Sequence, residues 1–373
     1  LWCQLMEAPS FSSFQFTADS PLQSQLQQQL TQWICTGRLS PGTRLPSSRR
    51  LAAELNISRN TVTIVLEQLK SEGFLDSAPG KGVYVAADLP VGTTEPSRVD
   101  WRTKGALPEL SDFGLYLNDT PLTEHGEILP FTPGIPDISS FPQKVWLQIQ
   151  RRHQDRTLLM GYNGNQGYGP LREALAEYLK LSRGVRCTPE QIIITQGAQQ
   201  AISLCAQLLL NERDAVLVEN PGYMGARKAF SARRAQLVSC PMGKNGVDID
   251  ALENNKHINT LDPKLMYITP THQYPLGGIL PASQRLKLLD WAAQKRTWLI
   301  EDDYDSEFHY YHKPIAAFQG MAEDTPVIYM GSFSKTLFPA LRLGYLVVPS
   351  ALAKVFIQAK SFMGGESPLL TQA

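Results

Sequence analysis

In the first third of the chain, apolar residues recur at helical spacing. Leu22, Leu26, Leu30, Trp33 and Ile34 share one face of a segment that Pro21 opens and Gly37 can stop. A turn-rich stretch over 39–47 follows, and Ser47 is a candidate N-cap for a helix whose inner face is Leu51, Ala52 and Leu55. Asn56-Ile57-Ser58 breaks that pattern. Ser58 can cap a third helix over 59–71, with Val62, Val65, Leu66 and Leu69 inward. The period then shortens to two. Gly73-Phe74-Leu75, a turn at Pro79-Gly80-Lys81-Gly82 and the alternating Val83-Tyr84-Val85 predict a two-stranded hairpin.

From residue 88 to about 127 the pattern dissolves into Pro, Gly, Ser and Thr, which reads as a linker or loop excursion. Trp101, Phe113 and Tyr116 leave open a partly ordered arm docked on its neighbour. Beyond it, short apolar runs at 191–195, 215–219, 265–269, 297–301 and 327–330 alternate with helical segments such as 282–295. That alternation predicts an α/β domain with a mostly parallel sheet covered on both faces, whose ligands bind at the carboxyl ends of the strands. The expected organisation is a small domain at 18–88, a linker at 89–127 and a large domain at 128–373.

At 373 residues the chain exceeds one ordinary core, in keeping with two domains. Lys plus Arg and Asp plus Glu are each 35, so no global charge draws nucleic acid, although a local patch is compatible with a neutral total. Cys3, Cys35, Cys187, Cys205 and Cys240 are odd in number and form no Cys-x-x-Cys pair. They read as reduced thiols, and no metal is expected. No apolar run approaches the roughly 20 residues that span a bilayer, and no basic-then-apolar leader opens the chain, so a cytoplasmic protein is expected. The first residue is Leu1 instead of an initiator methionine, which suggests a fragment.

The second and third helices, joined by a tight turn with Ser58, Arg59, Asn60 and Thr61 opening the third, match the helix-turn-helix plan in which the later helix enters the major groove. The hairpin supplies a wing. With Pro-Gly-x-x-Leu-Pro-Ser-x-Arg at 41–49 and Gly-Lys-Gly-Val-Tyr-Val at 80–85, the order resembles the winged helix-turn-helix domain of the GntR family of bacterial regulators. The resemblance implies operator DNA as partner. It places Arg44, Ser47 and Arg49 at phosphate or base near the second helix, Arg59 and Thr61 on the reading helix, and Lys81 and Gly82 at the wing tip.

In the large domain one loop organises the rest: Gly331-Ser332-Phe333-Ser334-Lys335, followed by Arg342. A lysine whose ammonium is destabilised becomes a free amine able to attack an aldehyde, and Ser332, Ser334 and Arg342 can anchor a phosphate beside it. Gly197-Ala198-Gln199 opens a helix whose free N–H groups suit the same phosphate. This loop resembles the Schiff-base motif of fold-type I pyridoxal 5'-phosphate enzymes. On that reading Asp302, after a buried strand, keeps the pyridine nitrogen protonated. Tyr304 could donate to the ring's phenolate oxygen, and Tyr223 could stack on the ring. The loop at 161–169 resembles the one that reaches into the partner subunit's phosphate site, with Tyr162 the matching residue, so a homodimer is implied.

Thr269-Pro270-Thr271-His272-Gln273-Tyr274 departs from ordinary aminotransferases, which carry asparagine where Tyr274 stands. This form resembles the MocR subgroup of GntR regulators, a winged helix domain fused to an aminotransferase-like domain. The resemblance implies a regulator that senses an amine or amino acid by external aldimine formation at Lys335. The competing reading is a working aminotransferase with an appended domain. The family continues past the position of Ala373 into a smaller domain carrying an arginine for an effector carboxylate, so effector identity stays out of reach.

Overall fold

A computed structural model of the chain describes residues 10–78, 82–89, 109–118, 132, 134–162, 164–310, 315–321 and 325–373. The chain divides into two compact units, residues 1–120 and 121–373. Among the expectations, Cys3, the wing turn at Pro79, Gly80 and Lys81, Trp101 of the linker and Asn163 of the tyrosine loop lie outside the described residues.

In the first unit the three expected helices are α1 (Leu22–Cys35), α2 (Ser48–Leu55) and α3 (Arg59–Ser71), followed by antiparallel strands β1 (Leu75–Ala78) and β2 (Gly82–Val85). The caps are those the sequence offers. Ser47 accepts from the Arg50 N–H, Ser58 accepts from the Thr61 N–H, and Asn56 closes α2 in the left-handed region at φ 52°. Leu26, Leu30, Leu51, Val62, Leu66 and Leu69 meet in one core. The opening stretch, which carries no periodic signal, also belongs to this core. Phe11 stacks on Trp33 at 5.3 Å and Phe14 meets the same ring edge-on at 4.6 Å. Residues 42–45 run beside the wing, with Leu45 N donating to Val83 O at 2.9 Å and Val85 N to Thr43 O at 3.0 Å. Within the stretch expected to lack elements there is a short helix, Asp112–Asn118.

The second unit is built on a seven-stranded sheet. Its strands are β3 (Ile192–Thr195), β4 (Ala215–Val218) and β5 (Gln236–Ser239), then, after a small hairpin of β6 (Met242–Gly243) and β7 (Gly246–Val247), β8 (Leu265–Ile268), β9 (Trp298–Asp303), β10 (Val327–Ser332) and β11 (Gly344–Val347). The order is β3-β11-β10-β9-β8-β4-β5, and every pairing is parallel except the two that β11 makes. β3, β4, β8 and β11 are buried throughout, so both faces are covered. On one face Val216, Val218 and Ile300 pack with helix Ala198–Leu209. On the other, Leu217, Met266 and Leu299 pack with helix Ala282–Lys295. Neighbours along β4 thus alternate between faces, as strand geometry requires. Two strands of the large sheet had no expectation, β5 and β11, and neither did the β6–β7 hairpin. One boundary is corrected: β9 runs through Asp303, so Asp302 lies inside the strand and not beyond its end.

Candidate functional site

The register of the sheet assembles the site. Ser332 pairs with Gly344 and Gly344 with Thr195, so the chain leaves β3 and β10 and enters β11 side by side. Two residues further on each path stand Gly197, Ser334 and Arg342. The Arg342 guanidinium carbon lies 3.8 Å from where a Cβ on Gly197 would sit. Gly197, at φ 86°, caps helix Ala198–Leu209, turning the N–H groups of Ala198 and Gln199 toward the same space. A Cβ on Gly344 would come within 3.0 Å of both Gly197 Cα and Gly331 O, so only glycine permits this approach. The Ser332 hydroxyl donates to Ser334 Oγ at 3.0 Å and accepts the Ser334 N–H at 3.1 Å. A helix N-terminus beside a guanidinium, with paired hydroxyls on the neighbouring strand end, is the donor set that a phosphate dianion would take.

Asp302 is 5% exposed. The Tyr267 hydroxyl donates to its Oδ2, while its Oδ1 is buried without a hydrogen-bond partner. Burial pushes this carboxyl up to about 7, against the pull of Tyr267 and Lys335. A buried acceptor with no donor is costly, and a protonated ring nitrogen is a group that would satisfy it. Its neighbour Asp303 is tied to the scaffold at Oδ2, accepting from Arg183 Nε at 2.7 Å and from the Tyr329 hydroxyl at 2.5 Å, while its Oδ1 is likewise buried without a hydrogen-bond partner.

The acid at Asp302 makes a prediction for the cofactor-free chain. In the unfolded state the group titrates near 3.8 and in the fold near 7, so between those values the unfolded chain has lost a proton that the folded chain retains. Stability attributable to Asp302 therefore falls as the pH rises through that window. The melting temperature of Asp302→Asn relative to wild type should rise from about pH 5 to about pH 8. A difference that stays flat would mean a solvated carboxylate.

Lys335 is partly buried and its ammonium is lowered from the ordinary value by desolvation, with Asp305 and Asp302 acting in the opposite sense. Its Nζ donates to the Gly134 carbonyl. Gly134, Tyr304, Asp305, Phe308 and Lys335 line a cavity of about 210 Å³. The Tyr223 ring meets Tyr274 edge-on at 6.0 Å, and Tyr274 meets Tyr304 at 6.1 Å. The Tyr304 hydroxyl donates to His272 O at 3.1 Å. Two groups were missed. Glu219, at the end of β4, is buried and raised to about 7 by desolvation while accepting from Thr269 Oγ1 at 2.6 Å. His272 Nδ1 pairs with Asp305 Oδ1 at 2.8 Å, which raises the imidazole. An acid closing an apolar run could have flagged Glu219. Nothing local flags a pair so distant in sequence. Tyr162 is 99% exposed and touches none of these residues.

In the first unit Arg44, Arg49 and Arg59 are exposed. Arg44 bridges to Tyr84 of the wing, and its Nε lies 3.2 Å from where a Cβ on Gly82 (φ 103°) would stand. Arg59 Nε donates to Ser48 Oγ at 3.4 Å, linking the starts of α2 and α3. Ser47 and Thr61 have local work: Ser47 caps α2, and the Thr61 hydroxyl shares a 2.8 Å hydrogen bond with Ser58. Lys81 lies outside the described residues.

Residues 131–373 match the family Aminotransferase class I and II, and residues 22–85 match Bacterial regulatory proteins, gntR family. The chain is 38% identical to the probable rhizopine catabolism regulatory protein MocR of Rhizobium meliloti, over 95% of this chain and 71% of that one. It is 31% identical to the pyridoxine biosynthesis transcriptional regulator PdxR of Corynebacterium glutamicum, over 94% and 71%. Among solved structures it resembles the α-aminoadipate aminotransferase LysN of Thermus thermophilus, complexed with N-(5'-phosphopyridoxyl)-L-leucine. That likeness has a TM-score of 0.59 and 32% identity, and covers 64% of this chain and 61% of that one. No helix among the described residues is long and apolar enough to cross a membrane. The chain belongs to the MocR-type transcriptional regulators of the GntR family, which join a helix-turn-helix domain to an aminotransferase class I and II domain.

Proposed function

We propose that this chain is a cytoplasmic, dimeric regulator in which the first unit, centred on 18–88, grips operator DNA while the large unit, 128–373, reads an amine or amino-acid effector through pyridoxal 5'-phosphate. The observation that carries the reading is the unpartnered, buried Oδ1 of Asp302 in the same unit as Lys335 and the Gly197–Arg342 cradle. Bound there, the cofactor supplies an aldehyde that can exchange between amines.

The chain's own residues do the rest. Ser332, Ser334, Arg342 and the amides of Ala198 and Gln199 would hold the phosphate. Asp302 would hold a proton on the ring nitrogen, and its own charge would then be satisfied instead of stranded in a dry site. Tyr223 flanks the ring. Lys335, biased toward the free amine by burial, is the amine that would hold the cofactor's aldehyde and that an effector amine would compete with. Tyr162 reaches the phosphate of a second copy. The effector acts on DNA binding to the extent that it favours one dimer arrangement over another.

Adding the cofactor to purified protein should produce visible absorbance, and primary amines should change that spectrum without steady turnover. No absorbance at any concentration would remove the cofactor from the account. A second reading, a working aminotransferase, is favoured by the completeness of the lysine, aspartate and arginine constellation. Sustained conversion of an amino donor and a keto acid would support it.

A further inference from the structure

Lys360 is fully buried near the end of helix Ser350–Met363, and lysine almost never goes under without a partner. Its hydrogen-bond partner is one backbone oxygen, Asn165 O, to which Nζ donates at 2.6 Å, and the Glu366 carboxylate favours its ammonium by charge. Two more side chains grip the same loop. Glu366 Oε1 accepts the Gly164 N–H at 2.6 Å, and Gln372 Oε1 accepts the Tyr168 N–H at 2.8 Å. Gln372 is buried, and its Nε2 is held by Ser367 O at 2.8 Å. From the other side Gln166 Nε2 donates to Glu190 O at 2.8 Å, and Ile194 N of β3 donates to Gln166 O at 2.9 Å. Gly167, at φ 107°, lies so close to β3 that a Cβ would fall 2.4 Å from Ile194 Cγ1.

An apolar side chain of similar length would fill the Lys360 site without the cost of desolvating an ammonium, a cost visible in the depression of this group to about 8. Packing alone therefore does not explain the lysine. What it holds is a backbone carbonyl three residues from Tyr162, an aromatic side chain standing 99% in solvent. A tethered loop that offers a bare tyrosine outward is built to place that ring on something beyond its own chain.

We propose that Lys360, Glu366 and Gln372 are positioning residues that hold residues 164–168 in the geometry from which Tyr162 reaches the phosphate cradle of a second copy. The proposal rests on the reading of the large unit as a dimeric pyridoxal 5'-phosphate domain. It makes the three residues act in trans: each serves the site of the other subunit. A misplacement of about 1 Å is enough to lose such a contact.

Two mixed dimers of differently tagged chains test it, with cofactor affinity read from visible absorbance. In the first, a Lys360→Met chain is paired with a Lys335→Ala chain. The one remaining lysine site belongs to the Lys360→Met chain and is served by an intact loop, so it should bind as tightly as a wild-type site. In the second, a Lys335→Ala, Lys360→Met chain is paired with wild type. The wild-type site is then served by the loosened loop, and binding should weaken about tenfold, the loss of one hydrogen bond to a charged acceptor. Equal affinities in the two pairings, or weaker binding in the first than in the second, as a lysine that only supports its own subunit would give, overturn the proposal. Should Lys360→Met fail to assemble, Glu366→Gln in the same two pairings must show the same asymmetry. If wild-type dimers acquire no visible absorbance at all, the cofactor reading fails, and the proposal goes with it.

Discussion

Lys335→Ala should abolish the visible absorbance that the wild-type chain acquires with pyridoxal 5'-phosphate. Few other lysines can substitute for it. The aldehyde needs an amine that is unprotonated near neutral pH and within reach of the phosphate cradle, and Lys335 follows Ser334 on the loop that forms that cradle. Burial lowers its ammonium from the ordinary value. Among the described residues Lys360 is the other lysine whose ammonium burial lowers, but it is fully buried and its Nζ is committed to Asn165 O at 2.6 Å. The variant should still bind the cofactor weakly through the phosphate contacts. Borohydride reduction followed by peptide mapping checks the assignment: the label should fall on the peptide containing Lys335. Undiminished absorbance in Lys335→Ala, or the label elsewhere, would remove this lysine from the site.

Arg59→Ala should lower operator affinity about tenfold or more, the cost of truncating a hydrogen bond to a charged phosphate. Arg59 opens α3, the second helix of the helix-turn-helix, where Ser58 caps the helix and leaves the arginine exposed at its N-terminus. Each phosphate contact removed should reduce the slope of log affinity against log salt by about 0.9. Arg44 and Arg49 should behave alike. Visible absorbance with the cofactor should not change, because Arg59 belongs to the other compact unit. A variant that binds operator as wild type does, with the same salt slope, would take α3 out of the groove.

Most of the first unit could be read from the chain because its signals are local. The helices of α1, α2 and α3 follow from apolar spacing and capping residues, and α3 begins and ends where the pattern says. Phe11 and Phe14 escaped because two aromatic residues without a period predict no element, yet packing on Trp33 buries both. In the second unit, β5 escaped because its Gln236 and Ser239 are exposed and polar. β11 escaped because it opens with Gly344, a residue demanded by the close approach of three strands and not by strand propensity.

The same division runs through the site. Lys335, Arg342 and Gly197 sit in recognisable short motifs, and the register of β3, β11 and β10 brings them together. The two adjacent acids differ by strand alternation and by who answers each carboxylate. Asp303 Oδ2 answers Arg183 and the Tyr329 hydroxyl, Asp302 Oδ2 answers the Tyr267 hydroxyl, and each acid keeps its Oδ1 buried without a partner. Pairings such as His272 with Asp305, or Lys360 with Asn165, join residues far apart in sequence, and no local pattern announces them.

The central claim is that one chain couples cofactor chemistry at Lys335 to DNA recognition by α3 and the wing. The most direct measurement is a titration of labelled DNA flanking its own gene, against random DNA of equal length, with and without pyridoxal 5'-phosphate, for wild type and Lys335→Ala. The account predicts preference for the flanking DNA, a change in that affinity when wild type takes up the cofactor, and no such change in Lys335→Ala. Equal binding to both DNAs, or a cofactor response that survives loss of the lysine, would contradict it.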